Sequence, residues 1–375
     1  ILAKDDQRRE LQKEIDDLKF QQRKFWEEKK YEEAKVLKIQ IQAKEEEYQS
    51  IIESLNKDLL KMPNTAIHPD VPIGKDDTEN VVTKIVWEPT KFDFEIKDHV
   101  ELMKKHDMID IERGVKLAWA RSYFLKGDWM LLEQAILQYT LKKLVAKWFI
   151  PMNVPNIVNP EALLWTWYFP WWEEDAYRIE RDNQWLIGTS EIPVTAYHMN
   201  EILEEDELPK KYCWYSACYR REAWSYGKDT AWLYRVHQFM KVEQVVILPE
   251  DIAMSDEYHR QILQNAIEIV EDLKISYRIL QLCTGDMSIG KYNSQDIECW
   301  MPSRNAYGET HSVSSFLDFR QEVTLLGAIW FPVPFVFLLP FLFFSLLFVL
   351  FPFLLLPRPH QRADRLGRRA IRPDY

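Results

Sequence analysis

Glycine is scarce in this chain, with 10 of 375 residues where average usage gives roughly 26. Few positions are therefore marked for a positive φ or a close backbone approach. Cysteine is scarce as well: Cys213, Cys218, Cys283 and Cys299 form no CxxC pair and have no histidine at zinc-finger spacing. That excludes a disulfide scaffold and a structural zinc site, and it points to a reducing, cytoplasmic compartment. No signal peptide is visible, and the chain starts at Ile1 rather than a methionine, so we read it as lacking its true start. Positive charge is not in excess either. A net charge of −11 argues against a general nucleic-acid binder, because nonspecific phosphate affinity needs a cationic surface. An RNA partner would have to meet local basic patches.

The length leaves room for two or three domains and a well-buried core. Leu11, Ile15, Leu18 and Phe25 step by fours and threes, with Gln22 filling one place. After a charged break near Glu27–Lys30 a second series runs Ala34, Leu37, Ile41, Tyr48, Ile51, Leu55, Met62. This spacing predicts an antiparallel coiled-coil hairpin over 1–62, with arms of about 40 Å. Pro63 ends it, and 63–80 reads as a linker. From 81 onward strands and helices mix: helices are expected to start at His99–Met108 and Asp110–Ala120. A long helix is expected over Trp129–Ala146, with Leu131, Leu132, Ala135, Ile136 and Leu141 inward.

The segment Cys218–Glu243 is the most informative. Apolar alternation near Tyr215–Glu222 and Tyr234–Val246 flanks a polar loop with Gly227, Lys228 and Asp229, and predicts two antiparallel strands joined by a long connection. On that reading Arg220 and Glu222 leave one face together, and Arg235, His237, Phe239 and Lys241 alternate along the return strand. Such a face offers cations for phosphate, a carboxylate for an amine and a ring for a base.

This segment resembles motif 2 of class II aminoacyl-tRNA synthetases, and Arg235-Val-His-Gln-Phe-Met-Lys-Val-Glu243 is similar to the seryl-tRNA synthetase family. Further matches are Asn64–Gly74, Leu186–Pro193, Cys283–Asp286 and Tyr307–Ser312, so the resemblance covers about 1–321. It implies an α+β fold: a class II antiparallel β-sheet flanked by helices, with the hairpin as an arm that grips the long variable arm of tRNA(Ser). Arg8, Arg9, Arg23, Lys24, Lys29 and Lys30 are the candidate phosphate contacts. The implied reaction is ATP-dependent activation of L-serine and transfer to the tRNA 3′ end. It needs positioning and charge neutralisation rather than a covalent nucleophile, and no Ser-His-Asp or Cys-His constellation stands out.

By the same resemblance Arg220 and Glu222 are the catalytic residues. Arg220 holds the α-phosphate and the substrate carboxylate, and Glu222 faces the adenine side. Arg221, Val236, His237, Gln238 and Phe239 complete the ATP pocket, with the Phe239 ring against the base. Thr189, Glu191 and Glu243 receive the serine with Arg220. Glu309, Thr310, His311 and Ser312 take the ATP and Mg²⁺ place, with Glu309 as the metal ligand. The segment ending near Pro151–Pro155 matches motif 1, which implies a homodimer.

Two features depart from the family. At Trp87, Trp119, Trp129, Trp165, Trp167, Trp224 and Trp232, and also Trp148 and Trp214, the family pattern has glycine, whereas Trp300 fits as an ordinary tryptophan. We expect that the source reads UGA as glycine, since independent mutation would not choose the largest residue so often where the smallest belongs. The second departure lies beyond the catalytic domain of 81–321, in a tail over 322–375. Val323–Pro357 carries no charge, and motif 3, with its γ-phosphate arginine, is absent. A reading-frame change near 320 is expected, which would leave the sheet without its last strand. The alternative is a membrane anchor, interrupted by Pro332, Pro334, Pro340, Pro352 and Pro357. A synthetase-like paralogue that binds tRNA or a protein without activating serine is the alternative function.

Overall fold

The computed structural model describes residues 1–223 and 233–317, and the backbone of 335–339. Helices α1 (Leu2–Glu27) and α2 (Tyr31–Leu59) fold back on one another through a turn at Lys29, which has φ 59°. Leu11, Ile15, Ala34, Leu37, Ile41 and Leu55 are buried along the seam. Gln22, the polar residue in that series, donates to the Ala34 carbonyl at 3.1 Å. Ion pairs Lys4–Asp58 at 2.6 Å and Lys19–Glu45 at 2.7 Å tie the arms together. Exposed pairs of this kind contribute at most about 1 kcal/mol each, so the apolar seam dominates.

The body is an eight-stranded sheet flanked by helices. Its strands are β1 (Val81–Val86), β2 (Ile150–Pro151), β3 (Lys210–Tyr219), β4 (Gln238–Ile247), β5 (Tyr277–Gln281), β6 (Asn293–Met301), β7 (Ala306–Leu317) and β8 (Phe335–Leu339). They lie in the order β1-β5-β6-β7-β8-β4-β3-β2. Only β2 with β3 is parallel. The helices are α3 (His99–Lys105), α4 (Ile111–Leu117), α5 (Asp128–Ala146), α6 (Pro160–Trp165), α7 (Glu191–Thr195) and α8 (Ile252–Asp272). Asp98, Asp110 and Asp251 cap α3, α4 and α8 by accepting from Glu101, Arg113 and Met254 backbone amides, each worth roughly 1 kcal/mol. The main core joins Ile136, Leu137 and Leu144 of α5 and Ile262, Ala266 and Val270 of α8 to Val242, Val246, Ile279, Ile297 and Val313 of the sheet.

Three expectations are corrected. Leu131 and Ala135 of α5 point outward, with Leu131 62% exposed. The buried stripe is Trp129, Glu133, Ile136, Leu137, Thr140 and Leu144, because the sheet takes a face rotated from the one that side-chain polarity alone suggests. Strand β3 stops at Tyr219 and β4 starts at Gln238, so Arg220, Glu222, Arg235 and His237 belong to the connection and not to alternating strand positions. Glu222 there has φ 52°. Finally, the sheet does not lack a strand between β7 and β4: β8, from within the apolar tail, pairs antiparallel with both. The polar loop at 224–232, with Trp224 and Trp232, lies outside the described residues, as do 318–334 and 340–375. No helix among the described residues is long and apolar enough to cross a membrane.

The tryptophans at glycine-pattern positions fall into two groups. Trp87, Trp148 and Trp167 have φ of 60°, 68° and 61°, a region that costs a residue with a Cβ about 1–2 kcal/mol. Trp119, Trp129, Trp165 and Trp214 have no positive φ, and Trp129 packs in the core at 2% exposure. Trp148 is 86% exposed, and Trp87, half exposed, gives up one edge-to-face contact with Tyr277 at 6.4 Å on removal. Replacing both by glycine is therefore expected to raise stability by about 1–2 kcal/mol in total, a few degrees in Tm. Peptide masses of the native protein give the second check: tryptophan found at 87 and 148 would end the codon explanation.

Candidate active site

Strands β3 and β4 pair from Lys210↔Ile247 to Tyr219↔Gln238 and carry the site at the end where their connection begins. The chain leaving β3 is pinned: Tyr219 N–H donates to Ile187 O at 2.8 Å, Arg221 N–H to Asp175 O at 2.8 Å and Ala223 N–H to Asp175 Oδ1 at 2.9 Å. Arg220 N–H donates to His237 O at 3.1 Å. His237 Nδ1 lies 3.1 Å from the Arg220 carbonyl and 3.0 Å from the Tyr177 hydroxyl. Trp119 stacks on Tyr177 with ring centres 6.1 Å apart.

The Arg220 guanidinium sits between two rings, 5.3 Å from the centre of Phe239 and 5.5 Å from that of Trp172. Glu222 is buried and takes a 3.4 Å ion pair from Arg235 Nη1. Val236 is buried, and Gln238 opens β4 beside a cavity of about 460 Å³ that also reaches His237, Phe239, Trp119 and Glu133.

The second half of the site lies deeper along β4. Glu243 is wholly buried, ion-paired to Lys241 at 2.6 Å, and accepts from the Thr189 hydroxyl through Oε1. Glu191, at 1% exposure on α7, accepts from the Tyr168 hydroxyl at 2.7 Å. Burial pushes the Glu243 carboxyl up to about 7, Lys241 draws it down and Glu191 raises it again. Two buried carboxyl groups and a buried ammonium make a lining suited to a small zwitterion with a polar side chain.

Strand β7 supplies the remaining candidates. Thr310 Oγ1 donates to Ile297 O at 3.1 Å and lies 2.9 Å from His311 Nδ1, so these two are held inside the sheet; Ser312 is buried with them. Burial depresses His311 to about 3, which makes it a neutral packing residue. Glu309 differs. Burial raises its carboxyl, while Lys291, Arg220 and Arg235 lower it, and Asp296 on β6 is raised by burial and by Glu309. Glu309 thus raises Asp296 across β6 and β7 while nearby cations offset Glu309, and among the described residues no group of three or more His, Cys, Asp or Glu side chains is placed to hold a metal ion. Sequence reasoning brought Arg220, Glu243, Thr189 and Glu191 together but missed Tyr168 and Trp172. No local periodicity marks those two; a loop before α7 delivers them.

These features are those of a class II aminoacyl-tRNA synthetase core, and a family model described as "tRNA synthetase class II core domain (G, H, P, S and T)" matches residues 176–327. The serine–tRNA ligase of Deinococcus radiodurans is 39% identical over 293 residues, covering 78% of this chain and 67% of that protein. That of Methanocella arvoryzae is 38% identical over 328 residues, covering 84% and 76%. The crystal structure of seryl-tRNA synthetase from Pyrococcus horikoshii complexed with ATP superposes with a TM-score of 0.79 at 28% identity, over 90% of this chain and 83% of that one. The chain thus belongs to the serine–tRNA ligase family. It spans 66–67% of the length of two of the bacterial relatives it matches.

Proposed function

We propose that this chain activates L-serine with ATP and passes it to the 3′ end of tRNA(Ser). A serine carboxylate oxygen attacks the α-phosphorus, the bond to pyrophosphate breaks, and seryl adenylate forms. The terminal tRNA hydroxyl then attacks the acyl carbon, AMP leaves, and the hydroxyl proton is released. Arg220 neutralises the α-phosphate and the attacking carboxylate, which gain and redistribute charge in the transition state. Phe239, with Val236, His237 and Gln238, lines the adenine side, and Glu222 and Arg221 border it. Thr189, Glu191 and Glu243 hold the amino acid, and Thr310, His311 and Ser312 shape the wall behind Glu309. Mg²⁺, when bound through Glu309, supplies charge neutralisation on the phosphates.

The observation that carries this reading is the placement of Arg220 against Phe239 next to the buried Lys241–Glu243–Thr189 group. The outward Leu131, Val145 and Ile150, at 62%, 43% and 56% exposure, support a second copy of the chain as the partner of α5 and β2. The deciding experiment is serine-dependent ATP–pyrophosphate exchange with alanine as control. tRNA binding without exchange would place the chain among inactive synthetase-like binders.

A further inference from the structure

Strand alternation sends Lys241 and Glu243 to one face of β4, and neither side chain reaches solvent. Desolvating such a pair costs several kcal/mol per ion, so its geometry carries information. The two oxygens of Glu243 are treated differently. Oε1 takes both the Lys241 ammonium and the Thr189 hydroxyl, while Oε2 is buried without a hydrogen-bond partner among the described residues. A buried carboxylate oxygen left without a donor is costly, and a ligand ammonium or hydroxyl would complete it.

We propose that Lys241 is a positioning residue for amino-acid recognition: by clamping Oε1 it keeps Glu243 ionised and presents Oε2 as the acceptor for the ammonium or hydroxyl of serine. The role rests on the reading of this pocket as the serine site. Lys241 touches no substrate in this scheme and acts only through Glu243. The groups facing the pair are Thr189 and Glu191 from the turn into α7, Ser216 and Cys218 from β3, and Arg220 just past its end. Of these, Glu191 opposes ionisation of Glu243 and Thr189 favours it. The carboxylate is the competent form, so serine activation falls as pH drops through about 7. Without the Lys241 ammonium that acid limb moves to higher pH.

The test is the pH profile of serine-dependent ATP–pyrophosphate exchange for the parent chain, Lys241→Met and Lys241→Arg. Lys241→Met is expected to lower kcat/KM for serine about 10²-fold, keep the KM for ATP within about threefold, and raise the acid limb by about one pH unit. Lys241→Arg, which keeps the charge, is expected to retain the parent limb. A limb at the parent position, or equal losses toward serine and ATP, would overturn the role. Should Lys241→Met not be recovered folded, Lys241→Gln, a donor without charge, is read by the same criteria. A parent with no serine-dependent exchange would sink the proposed function and this role together. An active parent with an unmoved limb in the variant would sink this role alone.

Discussion

Replacing Arg220 by alanine is expected to lower serine-dependent ATP–pyrophosphate exchange about 10³-fold, or about 4 kcal/mol of transition-state stabilisation. The size follows from where the guanidinium sits. It is held between Phe239 and Trp172 with its backbone locked to His237, so its charge is aimed before substrate arrives and costs little reorganisation during reaction. Alanine removes both the charge and the fork that spans two oxygens. Arg220→Lys keeps the charge but loses the planar donor pair and the stacking on both rings, and is expected to recover about tenfold. The loss should fall on kcat as well as on kcat/KM, since the interaction strengthens as the pentacoordinate phosphorus of the transition state forms. Exchange by Arg220→Ala within about tenfold of the parent would mean that another cation, Arg235 or Lys291, neutralises the phosphate.

The second large effect concerns the hairpin. Of the six cations named as phosphate contacts, Arg8 and Arg9 are committed to Asp5 at 2.8 Å and 2.7 Å, and Lys30 to Glu28 at 2.6 Å. Arg23, Lys24 and Lys29 are exposed at the tip, around the end of α1. Changing these three to glutamine is expected to weaken tRNA binding about 10²-fold and to flatten the dependence of log Kd on log salt by about two to three, one for each phosphate that no longer meets a cation. Exchange without tRNA should stay within about twofold, because the tip contributes nothing to the pocket on β3 and β4. An unchanged salt slope would show that the arm does not read phosphate through its tip. The three changes lie on exposed helix and turn, so their effect on stability should stay within about 1 kcal/mol.

Much of this architecture is legible in residue spacing. The seam of α1 and α2 needs only a period of three and four with a charged break: the structure buries Leu11, Ile15, Ala34, Leu37, Ile41 and Leu55, leaves Leu18, Phe25, Tyr48 and Ile51 half-buried, and exposes Met62 past the end of α2. The β3–β4 pair follows from alternation on either side of a polar loop. The strand ends were less legible: alternation persists in sequence through Glu222, while the backbone turns left-handed there and leaves the ladder. On α5, polarity predicted an inward Leu131 where the structure buries Glu133. One polar residue can be accommodated on a packed face, and burial raises its carboxyl to about 7.

By itself the sequence determined the hairpin and the paired strands, because these depend on local periodicity, while the set Arg220, Thr189, Glu191 and Glu243 is what the family resemblance implies. Tertiary structure alone decided that Tyr168 and Trp172 join the site, that Oε1 and Oε2 of Glu243 have separate environments, and that the apolar tail supplies a strand between β7 and β4. It also decided which tryptophans stand on a left-handed backbone. These are contacts between segments far apart in the chain, or signs of φ set by how the chain closes. Neither leaves a period in the sequence from which it could be read.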